Sequence, residues 1–322
     1  MAIKKLSKGV ITEDGPSDEI ATAVAECDRM TDTLTPDEEA IITASEIQLP
    51  GLYLSPSQID MYLRCPQQYK RRYIDKVISP PDIALVEGTS HHAALEQNNL
   101  FKIKKGVDME PKKILSAFKD AWATNKKNDK LSVSNEEEKA LIDRGATMIG
   151  EYCRVFAPLF KPAEAEKMVC VPVGPIRILG IMDAIGGKSD TMSVKGSGPL
   201  RTIVDYKTVN RAKSQSDADS SLQLSCYVYF HGKKWPTWDQ GLGVGLLSLV
   251  KSNGNVEWVN TRPSAGRVKW FRQVALHVAN SISLGSFPPA MPGSWCCSQR
   301  FCGYFKDCRG KVEFSMSAKK KK

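Results

Sequence analysis

Apolar positions along the chain follow two regimes. From Ser55 to about Phe156 they recur every three to four residues, the spacing that gives a helix one buried stripe. Ser55-Pro56-Ser57-Gln58 supplies an N-cap, a proline suited to the first turn and a capping-box partner, so a helix is predicted from there to about Arg64. Cys65-Pro66 interrupts it, and a basic, aromatic helix resumes over residues 67–73. Further helices are predicted over residues 88–100, 111–125 and 135–156. Beyond Pro162 the pattern shortens to β-branched runs at 168–173, 176–182 and 202–206, with Gly and Pro between them. Residues 220–230 then read as a helix, 241–250 as a buried strand and 264–283 as a long helix. The order predicts an α/β protein, with a helical N-terminal part ahead of a mixed β-sheet flanked by helices.

Residues 1–50 lack this regularity. Acids, Thr and Ser mix with scattered Ala and Ile, and Pro36 and Pro50 interrupt any long period, which predicts a mobile or loosely docked acidic extension. Eleven acids against four bases give this segment −7, so the remaining chain carries +16 of the +9 total. A body that basic suits an anionic partner. No stretch approaches the roughly 20 apolar residues of a membrane span. The opening MAIKKLSKGVITEDG also lacks the apolar run of a secretory signal, so a cytoplasmic location is expected. In a reducing compartment the crowding of Cys296, Cys297, Cys302 and Cys308 favours metal or cluster ligation over disulfides.

Candidate chemistry lies in the strands. Asp183 follows the run ending Gly180-Ile181-Met182, and Asp205-Tyr206-Lys207 closes another, placing two carboxylates and an ammonium at strand ends that can be neighbours. Hard Mg²⁺ or Mn²⁺ prefers oxygen ligands, and two carboxylates would leave positions for substrate phosphate and water. Period-two alternation puts Asp205 and Lys207 on one face, with the Tyr206 carbonyl available as another metal ligand. Lys207 could then orient the attacking water and stabilise charge on a phosphate.

These residues have ordered company: Gly88-Thr-Ser-His-His-Ala-Ala-Leu-Glu96, Gly180-Ile-Met-Asp183, Asp205-Tyr-Lys207-Thr and Gln223-Leu-Ser-Cys-Tyr227. Over roughly residues 54–309 the set resembles the PD-(D/E)xK nuclease superfamily, and within it the RecB-like branch that includes AddB-type and CRISPR-associated exonucleases. The resemblance implies a restriction-endonuclease-like core and a Mg²⁺- or Mn²⁺-dependent DNA exonuclease serving recombination, repair or end processing. It makes His92 an additional metal ligand beside a bystander His91, Asp183 and Asp205 the principal ligands, and Lys207 the catalytic lysine. Gln223 and Tyr227, four apart and so on one helix face, would shape the site. Glu166, with Glu164 competing, matches a looser acidic position. Two other readings stand beside this one: a catalytically weak DNA-binding member of the same fold, and an iron–sulfur redox protein.

Cys297-Ser-Gln-Arg-Phe-Cys302 and the spacing on to Cys308 supply three close thiols, and Cys65 is a natural fourth. In cluster-bearing RecB-like nucleases one cysteine precedes the core and three follow it, so the resemblance implies a [4Fe–4S] cluster on Cys65, Cys297, Cys302 and Cys308. The W-C-C-S…C-G-Y arrangement, Trp295 to Tyr304, is similar to phage-type exonucleases. Cys296 competes with Cys297, and structural Zn²⁺ is the alternative occupant. Cys27, Cys153, Cys170 and Cys226 read as ordinary buried or extension residues. Lys70, Arg71 and Arg72 beside Tyr69 and Tyr73, and the stretch from His231 to Trp235, interleave cations with aromatics as a channel for a single strand would. Linear DNA with a single-stranded region or end is the expected partner, and a recombinase or helicase partner is left open. The expected divisions are an extension over 1–50, a domain over 51–312 and a basic tail over 313–322. Within the domain, the helical part spans 51–160, the catalytic core 161–285 and the cysteine segment 286–312.

Overall fold

The β-branched runs pair into one five-stranded mixed sheet in which spatial order follows chain order. The strands are β1 (Pro162–Val173), β2 (Ile176–Gly186), β3 (Arg201–Val209), β4 (Leu242–Val250) and β5 (Val256–Thr261). All neighbours are antiparallel except β3 and β4, which run parallel. A parallel step needs a crossover, and two helices that follow β3 in the chain provide it, α8 (Gln215–Asp219) and α9 (Leu222–Lys234). The whole of β4 is buried, which accounts for its apolar run LGVGLLSLV in place of alternation. Strand β5 is the one the sequence reading missed, because it is a short, half-buried edge with Glu257 and Asn260 interrupting its apolar residues. This computed structural model describes residues 16–79, 81–187, 201–234, 242–261 and 264–309. The predicted 313–322 tail, Trp235 and the first residue of the 241–250 strand lie outside them.

Helices cover both faces of the sheet. On one, α3 (Pro56–Arg64), α9 and α10 (Ala265–Ser283) pack Ile59, Tyr227, Phe230 and Phe271 against Val171, Ile178 and Ile203. Gly180 permits the close approach of α9, since a side chain there would come within 2.8 Å of the Phe230 ring. On the other face, α5 (Ile83–Lys105) and α7 (Asn135–Val155) bring Leu95, Met148 and Tyr152 onto Ala184, Val204 and Leu247. Outside these, α6 (Pro111–Asn128) packs Phe118 and Trp122 into a third cluster with Val86 and Ile149. The Ser55–Gln58 capping box forms as the sequence requires. The predicted 67–73 helix is α4 (Pro66–Tyr69) followed by one π-helical turn over Lys70–Ile74.

Residues 17–50, expected to be mobile or loosely docked, lie against the body. In α1 (Asp18–Asp28), Ile20, Val24 and Cys27 pack on Tyr53, Cys170 and Leu179. Beyond it, Asp32 accepts hydrogen bonds from Arg272 and from the Gly174 amide at 2.7–2.8 Å, and Glu38 of α2 (Pro36–Glu39) pairs with Arg272 at 2.7 Å. The acids are therefore partners of specific cations as well as solvated charge. At the other end, residues 284–309 return to α3 and α4. The Gln67 amide donates to the Pro288 carbonyl at 3.3 Å, and the Tyr304 hydroxyl donates to the Val77 carbonyl at 2.9 Å. Among the described residues, no helix is long and apolar enough to cross a membrane.

Candidate active site

Asp183 and Asp205 stand where two strands part. The β2–β3 ladder consists of Ala184 with Val204 and Ile185 with Ile203, and the next position in that register would join Asp183 to Asp205. There the Tyr206 amide donates to Asp183 Oδ2 at 2.8 Å, and no strand pair forms. The sequence reading set both residues at strand ends; they lie within β2 and β3, at the end of the ladder the two strands share. Both side chains are at most 1% exposed. Burial pushes the Asp205 carboxyl above its ordinary range; Lys207 opposes that shift and the Asp183 charge adds to it. Two carboxylates held this close in a dry site favour a bound cation.

A closed ring of polar contacts surrounds Asp205. Lys207 Nζ lies 2.7 Å from Asp205 Oδ2 and donates to Gln223 Oε1 at 2.9 Å. Gln223 Nε2 donates to the Tyr227 hydroxyl at 2.7 Å, and that hydroxyl lies 3.2 Å from Asp205 Oδ1 and 2.8 Å from the Ile181 carbonyl. The alternation expected of Asp-Tyr-Lys holds, since Asp205 and Lys207 both meet α9 while Tyr206 points to the opposite core. Burial, then the Asp205 and Asp183 charges, raise the Tyr227 hydroxyl well above its ordinary range, so it stays a donor.

From the other face, α5 delivers His92, whose Nδ1 is 3.4 Å from Asp183 Oδ1. One turn earlier, nothing lies within 4 Å of the place a Gly88 side chain would take, so the surface beside His92 is open. Two turns later, Asn99 donates to the Tyr206 hydroxyl at 2.8 Å, and the His92 ring meets the Tyr206 ring edge-on with centroids 5.9 Å apart. Thus one helix face fixes both His92 and the residue between Asp205 and Lys207. His91 turns the other way. It is fully buried against Phe118, its Nδ1 is 3.0 Å from the Glu87 carbonyl, and burial pushes its pKa down to about 3.

Glu166 joins this group through its backbone. It has φ +47°, a left-handed conformation that costs a non-glycine residue on the order of 1 kcal/mol. It sits between the pairs Ala165–Ala184 and Lys167–Met182, opposite Asp183. Met182 and Ala184, two apart and expected on one face, pack in different core clusters, so alternation breaks at this same level. Ligand atoms of His92, Glu166 and Asp183 lie within 4.8 Å of one another, and this nitrogen and oxygen set fits a hard divalent cation. Asp205 stands outside that trio, and its carboxyl feels the charges of both Asp183 and His92. The sequence offered no sign of Asn99, and only a weak one of Glu166.

The cysteines also converge. Cys65, Cys296, Cys297, Cys302 and Cys308 all line one small cavity. The Cys302 thiol is raised by burial first and then by the proximity of Cys65, Cys297 and Cys308. The Cys296 thiol is engaged by neighbouring groups, with Sγ 3.6 Å from the Arg64 carbonyl and 3.2 Å from Ser294 Oγ. The Ala290 amide donates to Cys65 Sγ at 3.4 Å. Gly303 is required here, because a side chain would come within 1.7 Å of Ser79 Oγ. Of the described residues expected to line an aromatic channel, Arg72 is exposed 5.6 Å from the Tyr73 ring centre, whereas others are turned inward or paired. Tyr69 is fully buried among Tyr62, Tyr73 and Phe287, His231 is 4% exposed, and Lys70 is paired with Asp75 at 2.6 Å.

The family model described as the PD-(D/E)XK nuclease superfamily matches residues 53–309. No curated protein matches the chain. Among solved structures, a candidate exonuclease from Eubacterium rectale is similar over 84% of this chain and 93% of its own, at 12% identity and a TM-score of 0.49. The structure of SSO0001 is similar over 91% of this chain and 95% of its own, at 12% identity and a TM-score of 0.38.

Proposed function

Because the chain belongs to the PD-(D/E)XK nuclease superfamily, we propose that it is a metal-dependent DNA exonuclease of the RecB-like branch, with Asp183, Asp205 and Lys207 at its centre. The ring joining Asp205, Lys207, Gln223 and Tyr227 at the fork of β2 and β3 carries this reading. Asp183 and Asp205 would hold Mg²⁺ or Mn²⁺ with His92, Glu166 and the Tyr206 carbonyl, and the cation would supply charge to polarise a phosphate. The protein's own groups do the rest. Gln223 holds the Lys207 ammonium toward Asp205, where it can orient a water and offset negative charge growing on the phosphate. Tyr227 fixes Asp205, and Asn99 fixes Tyr206 from below. The open surface over Gly88 leaves room for a strand beside His92. Linear DNA in recombination, repair or end processing is the proposed substrate.

The convergence of Cys65, Cys297, Cys302 and Cys308 supports a [4Fe–4S] cluster as a staple between α3 and the C-terminal segment, with Cys297 preferred over Cys296. The four thiolates and the amide donated to Cys65 fit such a group, and they also fit Zn²⁺. One preparation tests both parts. Protein purified without oxygen should be brown and hold iron and labile sulfide, whereas colourless protein with stoichiometric zinc assigns the site to zinc. The same protein should degrade linear but not covalently closed circular DNA with Mg²⁺ or Mn²⁺. Asp205→Ala and Lys207→Ala should each lower the rate at least 100-fold with the fold intact; wild-type digestion by both variants refutes the assignment.

A further inference from the structure

The surface beside the cysteine segment carries two large aromatics turned outward. Trp295 is 61% exposed and Phe301 51%, although Tyr304 in the same segment is buried. Their rings meet edge-to-face with centroids 5.6 Å apart and an interplanar angle of 80°. A guanidinium accompanies each: Arg64 lies 5.8 Å from the Trp295 ring centre and Arg300 5.2 Å from that of Phe301. Arg64 is also paired with Asp60 at 3.0 Å. The backbone beneath is fixed, because the Cys297 amide donates to the Ser294 carbonyl at 2.9 Å and the Phe301 and Cys302 amides donate to the Ser298 carbonyl at 3.1 and 2.9 Å. The rings therefore stand on a constrained turn.

Exposed aromatics at such density mark an interaction surface. Interleaved guanidinium groups argue for an anionic occupant, and a nucleobase stack offers planar faces for the rings and phosphates for the cations. We propose that Trp295 and Phe301, with Arg64 and Arg300, form a stacking platform for unpaired bases of the DNA strand. This inference rests on the nuclease reading above. It also moves the single-strand contact away from Tyr69 and His231, whose burial denies them to a base.

Binding in EDTA, where metal-dependent hydrolysis stops, tests the platform. The probes are a fluorescent twelve-nucleotide single strand and a blunt duplex of the same sequence. Trp295→Ala and Phe301→Ala should each weaken single-strand binding about tenfold, with a much smaller effect on the duplex and an unchanged thermal midpoint. Trp295→Phe, which keeps a ring, should recover most of the loss. Unchanged single-strand binding by both alanine variants overturns the platform and leaves the patch to a protein partner, with the nuclease reading intact. An equal loss on single strand and duplex also overturns it, because unpaired bases are then not what the rings hold. A wild-type chain that binds neither probe overturns the platform and the reading beneath it together.

Discussion

At the scale of single residues, the informative position is Glu166. A glutamate with φ +47° in the middle of a strand is strained, and the strain sits opposite Asp183 at the level where alternation breaks. Strain of this kind persists where the surroundings gain from it. Glu166→Gln keeps the backbone and removes the charge, so it should raise the Mg²⁺ concentration needed for half-maximal cleavage. Glu166→Gly should show the same metal deficit while raising the thermal midpoint by about 2 °C, since glycine adopts this conformation freely. Stability and metal use would then move in opposite directions. A wild-type metal titration in the glutamine variant would remove Glu166 from the site. Asn99 poses the complementary case, a buried amide whose contact with Tyr206 becomes visible only once α5 is docked.

At the scale of elements, the N-terminal segment illustrates how charge can be misread. Asp32 is opposed by burial, but hydrogen bonds from Lys233, Gly174 and Arg272 outweigh it and hold its carboxyl below the ordinary value; Arg272 does the same for Glu38. Both carboxyls are depressed in the folded protein. Their contribution is therefore fully present above the ordinary carboxylate values of 3.8 and 4.5 and is lost as pH falls below these through the lowered folded-state values. Thermal midpoints measured from pH 7 down to about pH 2 should drop steeply below the ordinary carboxylate range in the wild-type chain and more gently in Arg272→Met. That variant should also be less stable at pH 7, by about 3 kcal/mol, because it leaves the buried Glu38 without a cation and Asp32 with Lys233 alone. Parallel pH profiles for the two proteins would show that this contact does not govern acid stability. Composition alone had suggested a loose extension, since eleven acids count the same whether they meet water or an arginine.

At the scale of the whole molecule, what could be read in advance follows from the kind of force involved. The mixed sheet and its flanking helices were legible because burial imposes a period, and β-branched runs between glycines declare strands. Asp205 and Lys207 were legible because alternation fixes their face. Convergence of Cys65 with Cys297, Cys302 and Cys308 was legible from thiol chemistry and family likeness. Asn99 and the docking of residues 17–50 were not, and Glu166 only weakly, because each depends on a backbone angle or a polar partner contributed by a distant element. The burial of Tyr69 was equally hidden, since an aromatic beside three cations looks the same on a surface or over a core.

One feature of the assembled chain reaches beyond enzymology. Residues 54–79 and 286–304 are bound to each other by Gln67 with Pro288, Cys65 with Ala290 and Tyr304 with Val77, while Asp32 and Glu38 grip Arg272. The two halves of the polypeptide are thus held by noncovalent clasps at several points, and the turn over residues 129–134 is a partly exposed link between α6 and α7. Opened there, the protein should behave as a split pair. Co-expressed pieces 1–130 and 131–322 should copurify and recover DNA cleavage together, while each alone stays inert. Failure to copurify would mean that the clasps need the covalent link. If they hold, an activity that exists only when two fragments meet becomes a reporter for bringing two other molecules together.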